Sequence, residues 1–345
     1  LLRTFKVRFY PTKEQIIKLN NYFGCSRFTY NKCVYDNITG DYTNIRDKYV
    51  TQLIDKYDFL KHTPKEIKAF AITEYLTGIT NSNAQYEKKI ENEKWKRENY
   101  DKYKKKHIKK PKMKYKIKKS AQSITINKNS INILNKQIII YPESFSEDPI
   151  FIKDNSHNRK DDRLKKILND GYFYHDVKII RTETNKYYIC ITDNHIKKEI
   201  DENLKVVACD TGVRTFITTY DEQCINEIGN NISTKLSKII KNKDKLKKKY
   251  KKSIINLKKK LITKEEYFKN KNKYKLYNEK NNNRINDLHY KAITKLMDYS
   301  LICIPKLNVK QIIQKNDIPK ISKRILLMEK HSEFIKKLKN KGELC

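Results

Sequence analysis

The chain has 345 residues, with 77 lysines and arginines against 40 aspartates and glutamates and a net charge of +37. The length predicts about two or three domains. An excess of one sign this large repels itself in a compact state and points to a polyanionic partner, nucleic acid; AT-rich codon usage explains it only in part. No run of about 18 apolar residues is present, which excludes a membrane-spanning helix. The cysteines at 25, 33, 190, 209, 224, 303 and 345 form no C-x-x-C pair, so neither a zinc site nor a disulfide framework is expected. That usage suits an intracellular, reducing compartment, cytoplasm or nucleus alike. The start, Leu1-Leu2-Arg3, has neither a methionine nor a signal pattern, as a fragment would.

Thr4-Phe5-Lys6-Val7-Arg8-Phe9-Tyr10 alternates apolar and basic residues and predicts a half-buried strand. Pro11-Thr12 follows, and Thr12 is placed to cap a helix with Glu14-Gln15. Helical patterning then dominates to about residue 105. Thr63-Pro64-Lys65-Glu66 predicts a second helix start, with a threonine cap and a first-turn proline. Glu87 to Lys110 reads as a charged helix dotted with Trp95, Tyr100 and Tyr103, which pack a core or stack on bases; core packing is the expectation. After Pro111 come short strand-like runs at 123–126, 131–133, 137–142, 176–181 and 187–191, spaced as in a small barrel or sandwich. Asp154 to Arg163 reads as a polar loop.

Leu204 to Asp210 is a short apolar run ending in one carboxylate. Thr211-Gly212 and a second strand-like run, Phe216 to Tyr220, follow. A buried strand that carries an aspartate to its end, a tight turn and a strand pairing back is how a ribonuclease-H-type sheet begins. A third strand near 223–228, a Lys-rich helical hairpin at about 234–281, a helix through Arg284 and Met297, a buried strand Leu301-Ile302-Cys303-Ile304 and an amphipathic helix at about 318–340 complete an α/β pattern. The fold class expected is α+β and multidomain.

Several blocks stand in a telling order. They are Phe9-Tyr10-Pro11-Thr12-Lys13-Glu14-Gln15, Phe23-Gly24-Cys25-Ser26-Arg27-Phe28-Thr29-Tyr30-Asn31, Thr63-Pro64-Lys65-Glu66-Ile67, Asn81-Ser82-Asn83 with Ser120 to Ile126, Asp210-Thr211-Gly212-Val213-Arg214, and Arg284 to Lys291. Taken together the chain resembles the TnpB/Fanzor family of transposon-encoded, RNA-guided DNA nucleases, related to type V CRISPR effectors. The resemblance implies a wedge-type β-barrel from residues 1–11 and 111–200, a helical recognition insert at 12–110, and a RuvC-like nuclease domain from 201 to 345. It implies a guide RNA and a double-stranded DNA target as partners, and DNA cutting with Mg²⁺ held by three carboxylates around two ions.

Asp210 matches the first of these carboxylates and is the expected catalytic and metal-binding residue. Pro305 stands where the second is expected, at the end of the strand 301–304. Family members of this kind take a glutamate from a later strand. That strand, the third acid and a zinc ribbon would all follow Cys345, so the resemblance implies a truncated and catalytically incomplete chain. The second reading is a non-catalytic, nucleic-acid-binding remnant of such a gene. Nucleic-acid contacts are expected from Arg27, from Lys247, Lys248, Lys249, Lys251 and Lys252 in the hairpin, and from Arg284 and His289. Asp287 and His289 suit a backbone contact or a hydrogen-bonded helix face equally. Tyr22 and Asn31 suit nucleic-acid contact or packing equally. Glu329 beside Lys330 is expected to be a solvated pair.

Overall fold

The computed structural model describes residues 2–40, 42–100, 107–135, 137–142, 160–194, 205–305 and 307–342. The chain is a mixed α+β protein of two compact units, Leu2–Asn194 and His195–Cys345 with Leu1.

In the first unit, β1 (Leu2–Phe9) pairs along its whole length, antiparallel, with β6 (Tyr187–Asn194), Phe9 lying opposite Tyr187. β5 (Val177–Arg181) and β2 (Gln122–Ile126) extend this into one sheet of order β1-β6-β5-β2. The period-2 pattern sends Phe5, Phe9, Ile124, Ile126, Val177, Ile179, Ile189 and Ile191 to one face, all buried. The hairpin of β3 (Ile131–Leu134) and β4 (Gln137–Ile140) adds Ile131, Ile138 and Ile140 to the same core.

Helices follow β1 in the chain. α1 (Lys13–Asp36) begins with the expected capping box: Gln15 N–H donates to Thr12 Oγ1 at 3.2 Å, and Thr12 N–H to Gln15 Oε1 at 3.1 Å. Its Leu19, Tyr22 and Phe23 pack on the sheet. Its later residues Tyr30 and Cys33 pack with α2 (Tyr42–Lys56) and α3 (Lys65–Asn99) through Val50, Ile72, Tyr75 and Leu76. Pro64 itself stands at the cap position of α3. The Thr63 hydroxyl instead donates to the Leu60 carbonyl at 3.2 Å. α3 ends at Asn99, short of the expected Lys110. Trp95 is 53 % exposed, edge-on to Tyr100 at 5.9 Å, so core packing does not describe it. Tyr103 and residues 154–159 of the expected loop lie outside the described residues; α4 (Lys160–Asp170) starts within that stretch.

In the second unit, β7 (Val206–Thr211), β8 (Ile217–Tyr220) and β9 (Ile225–Ile228) form an antiparallel meander, with β10 (Leu301–Cys303) parallel to β7, in the order β10-β7-β8-β9. β10 is not the expected buried strand. It takes an edge, with Leu301 49 % exposed. α5 (Ile232–Lys258) and α6 (Lys264–Leu296) make the Lys-rich hairpin. Its second arm and the expected separate helix around Arg284 are one continuous helix, since nothing between Lys264 and Leu296 breaks the backbone ladder. After α7 (Val309–Gln314), the expected long C-terminal helix is two, α8 (Lys320–Glu329) and α9 (His331–Gly342), broken where Lys330 takes the left-handed conformation at φ +54°. None of the described helices is long and apolar enough to cross a membrane.

Two glycines differ in what a side chain would meet. At Gly229, φ is +73° and an added Cβ would lie 2.9 Å from Phe216 Cβ and 3.1 Å from Leu288 Cδ1. At Gly24, within α1, an added Cβ meets nothing within 4 Å. Gly229→Ala is expected to lower unfolding stability by about 1–3 kcal/mol, and Gly24→Ala to leave it unchanged or raise it by up to about 1 kcal/mol. Denaturant melts of the two variants check both signs.

Candidate active site and nucleic-acid interface

Asp210 stands near the end of β7. The strand alternates exposed and buried residues, so Val207, Cys209 and Thr211 face the core while Val206, Ala208 and Asp210 face the other way. Asp210 lies opposite Thr218 on β8, which lies opposite Glu227 on β9, so these three share the open face. The turn after β7 is tight: Gly212 N–H donates to the Phe216 carbonyl at 3.4 Å, and a Cβ at Gly212 would lie 3.0 Å from the Thr215 carbonyl oxygen.

Phe216, which ends that turn, is fully buried between two imidazoles. It stacks on His289 at 5.3 Å and on His331 at 5.0 Å, with Phe334 edge-on at 5.2 Å. Of the two readings of His289, nucleic-acid contact and a hydrogen-bonded helix face, the second describes it: the residue is 0 % exposed. Its Nε2 donates to the Glu329 carbonyl at 2.7 Å, and its Nδ1 accepts from Lys337 Nζ at 3.2 Å. The ammonium on Nδ1 fixes the neutral tautomer with its proton on Nε2. Burial, reinforced by Lys337, depresses His289 from the ordinary 6.5 to about 4. Glu329 is likewise not a solvated partner of Lys330. It is 0 % exposed and sits 3.2 Å from His331 Nε2, itself 2 % exposed, and burial raises its pKa. The left-handed Lys330 turns the chain so that residues 329 and 331 both point inward.

The other site residues divide by exposure. Asp287 pairs with Lys291 at 2.9 Å on the exposed side of α6. Arg284 is exposed and donates to Asn281 Oδ1 at 3.3 Å. Lys247, Lys248, Lys249, Lys251 and Lys252 are all exposed on α5, whose opposite face buries Leu236 and Ile240. Repeated like charges at i,i+4 oppose the helix; the Tyr250–Tyr274 stack at 5.7 Å and the bidentate Arg324–Asp244 pair, 2.7 Å on each arm, hold it. In the first unit, Tyr22 and Asn31 are packing residues. Tyr22 lies edge-on to Tyr141 at 5.8 Å, and Asn31 exchanges hydrogen bonds of 2.7 and 3.0 Å with the Lys116 backbone. Arg27 is half-buried at a cleft with Arg181 and Lys118, two cations that no sequence block singled out.

The residues near Asp210 do not fit a two-ion centre. β10 runs on to Ile304-Pro305 and delivers no carboxylate beside β7. Glu227 is two strands away. Asp221 is engaged by Tyr299 and by the Gln223 and Cys224 amides, which hold its carboxyl down at about 2. Among the described residues no group of three His, Cys, Asp or Glu converges to hold a metal ion.

The buried imidazole has a pH consequence. His289 is neutral when folded down to about pH 4 but charges near 6.5 when unfolded. The unfolded chain thus binds the extra proton first, and stability present above pH 6.5 falls as pH drops toward 4, by up to about 3 kcal/mol. Denaturant melts across that range are expected to show the loss in the parent and a shallower one in His289→Gln, which keeps a donor for the Glu329 carbonyl.

Comparisons with known proteins bear on the N-terminal segment. The helix-turn-helix domain family HTH_OrfB_IS605 matches residues 1–39. No curated protein matches the chain. Among solved structures, a cryo-EM structure of the Cas12f1–sgRNA–target DNA complex is 11 % identical with a TM-score of 0.32, covering 96 % of this chain and 87 % of that one. A CRISPR–Cas12f ternary complex is 12 % identical with a TM-score of 0.29, covering 93 % and 70 %. Both scores are below 0.5. The segment that the family matches is β1 with the capped α1, the first two of the blocks in their expected order.

Proposed function

We propose that this chain binds RNA and DNA as a member of an RNA-guided nuclease family, and that it does not itself cut DNA. In this reading, residues 1–11 and 111–200 form the wedge-type barrel, 12–110 the helical recognition insert, and 201–345 a RuvC-like domain. The guide RNA and a double-stranded DNA target are the partners, and Asp210 is the surviving metal ligand. The strand order β10-β7-β8-β9, with Asp210 near the end of β7, supports the RuvC-like assignment.

One observation carries the reading. Asp210 is exposed where the nuclease's first acid belongs, while Ile304-Pro305 occupies the position of the second. A lone exposed carboxylate in a chain of net charge +37 holds a divalent cation weakly, because neighbouring cations compete for it. Without held metals, neither the attacking water nor the leaving oxygen is stabilised. Binding depends instead on dispersed lysines and arginines and survives.

Two measurements test this. Affinity for structured RNA and for duplex DNA is expected to fall by orders of magnitude between about 50 and 200 mM salt, as phosphate contacts release counterions; a flat titration would sink the electrostatic reading. Incubation with Mg²⁺ or Mn²⁺, a candidate guide RNA and its target DNA is expected to leave the DNA intact. Guide-dependent cutting that vanishes in Asp210→Ala would overturn the non-cutting assignment.

A further inference from the structure

We propose that the cleft between α1 and the loop 59–63 in the first unit is a nucleotide site for single-stranded nucleic acid: Arg27, Arg181 and Lys118 take a backbone phosphate and Phe59 takes the base. This rests on the nucleic-acid-binding reading above and assigns that function a specific place.

The cleft has a volume of about 690 Å³, and no carboxylate lines it. Its cations are left without counter-charge. Arg27 donates to the neutral Gln122 Oε1 at 3.4 Å. Arg181 donates to Asn20 Oδ1 and, at 3.4 Å, to the Lys118 carbonyl, and its Nε is buried with no partner. The two guanidiniums repel each other, and burial and that repulsion both depress Arg27. Like charges in one recess cost free energy that a bound anion recovers. Forked guanidinium donors match phosphate oxygens.

The facing wall supplies a surface for a base. Phe59 is 48 % exposed and is braced edge-on by Phe28 at 5.0 Å and by the tilted ring of Tyr57 at 6.2 Å. The loop behind it is pinned from inside. Lys68, 1 % exposed, donates to the carbonyls of Leu60 at 2.7 Å and Thr63 at 2.6 Å, and to Thr63 Oγ1 at 3.1 Å. The aromatic surface is therefore set before a ligand arrives, which spares the ordering cost of binding. The α1 side is kept open by Gly24, where a Cβ meets nothing within 4 Å. A duplex seals its bases within the stack, whereas a single strand offers phosphate and base face together.

The test uses the full chain and fluorescein-labelled oligo-uridine and oligo-thymidine of roughly 12 nucleotides, with duplex DNA as reference and uridine monophosphate as competitor. Phe59→Ala is expected to weaken single-strand binding about 5- to 150-fold, the equivalent of one lost base stack. Arg27→Gln and Arg181→Gln are each expected to weaken it about tenfold and to lower the salt slope by about one. Gly24→Leu fills the cleft from an open position and is expected to abolish the single-strand component with its melting temperature unchanged. Duplex affinity is expected to stay within about twofold in Gly24→Leu and Phe59→Ala. A larger loss on uridine than on thymidine, or the reverse, names the strand and supports the site. Single-strand binding unaltered in Gly24→Leu and Phe59→Ala overturns it while leaving the broader reading intact, as does displacement by the monophosphate alone with no effect of chain length. A parent chain that binds no polynucleotide overturns both.

Discussion

The constraint behind this structure is charge: two folded units must carry 77 cationic side chains with 40 acids. Many acids are used locally. Asp36 pairs with Lys32, Asp47 with Arg46, Asp58 with Lys61, Glu74 with Lys116 and Glu333 with Lys330, all at or near the surface. Such exposed pairs stabilise little. Their effect is to relieve repulsion where helices and turns crowd lysines, and they leave the α5 lysines and the Arg27–Arg181 cleft uncompensated. Stability has to come from apolar burial, on the Phe5–Phe9–Ile189–Ile191 sheet face in one unit and around Val207, Phe216 and Leu296 in the other.

In the second unit that burial depends on Phe216. The aromatic ring ties the turn after Asp210 to α6 through His289 and to α9 through His331 and Phe334. The polar atoms this draws inward are only partly satisfied. His289 is served by Glu329 and Lys337, but Glu329 Oε1 and His331 Nδ1 have no partner. A buried polar network of this kind costs more per group than an apolar one. What it secures is geometry: the break at Lys330 docks α9 by both neighbours at once.

Local rules made much of the fold legible. The alternation in β1, the Thr12–Gln15 box and the Lys-rich hairpin all follow from residues within one turn or one strand of each other. What was not legible depends on distant partners. His289 looked available because its partners, Glu329 and Lys337, are 40 and 48 residues away. Glu329 looked solvated because Lys330 stands beside it, but it falls on the buried face of α8 one turn after Ile325, where the distant His289 and the inward-turned His331 meet it. Trp95 looked buried by its chemistry, yet its ring stands 53 % exposed with Tyr100 edge-on to it. Arg181 sits on β5, and only sheet pairing brings strand and helix together at the cleft.

The same distinction separates binding from cutting in this chain. Binding to a polyanion sums many weak, interchangeable phosphate contacts, so it tolerates the loss of any one lysine and is carried by composition. Two-metal cutting needs several oxygens brought within coordination distance of the same two ions, so it depends on position rather than on composition. Here β7 brings Asp210 to the open face of the sheet, while its parallel neighbour β10 passes into Ile304-Pro305. Proline has no side-chain oxygen and no backbone N–H, so its side chain supplies no ligand to a cation there. A strand that continued to bring β10 alongside β7 would keep the sheet without keeping the chemistry. In the proposed reading, dispersed cations carry the nucleic-acid affinity, while Asp210 on β7 has no carboxylate beside it on β10.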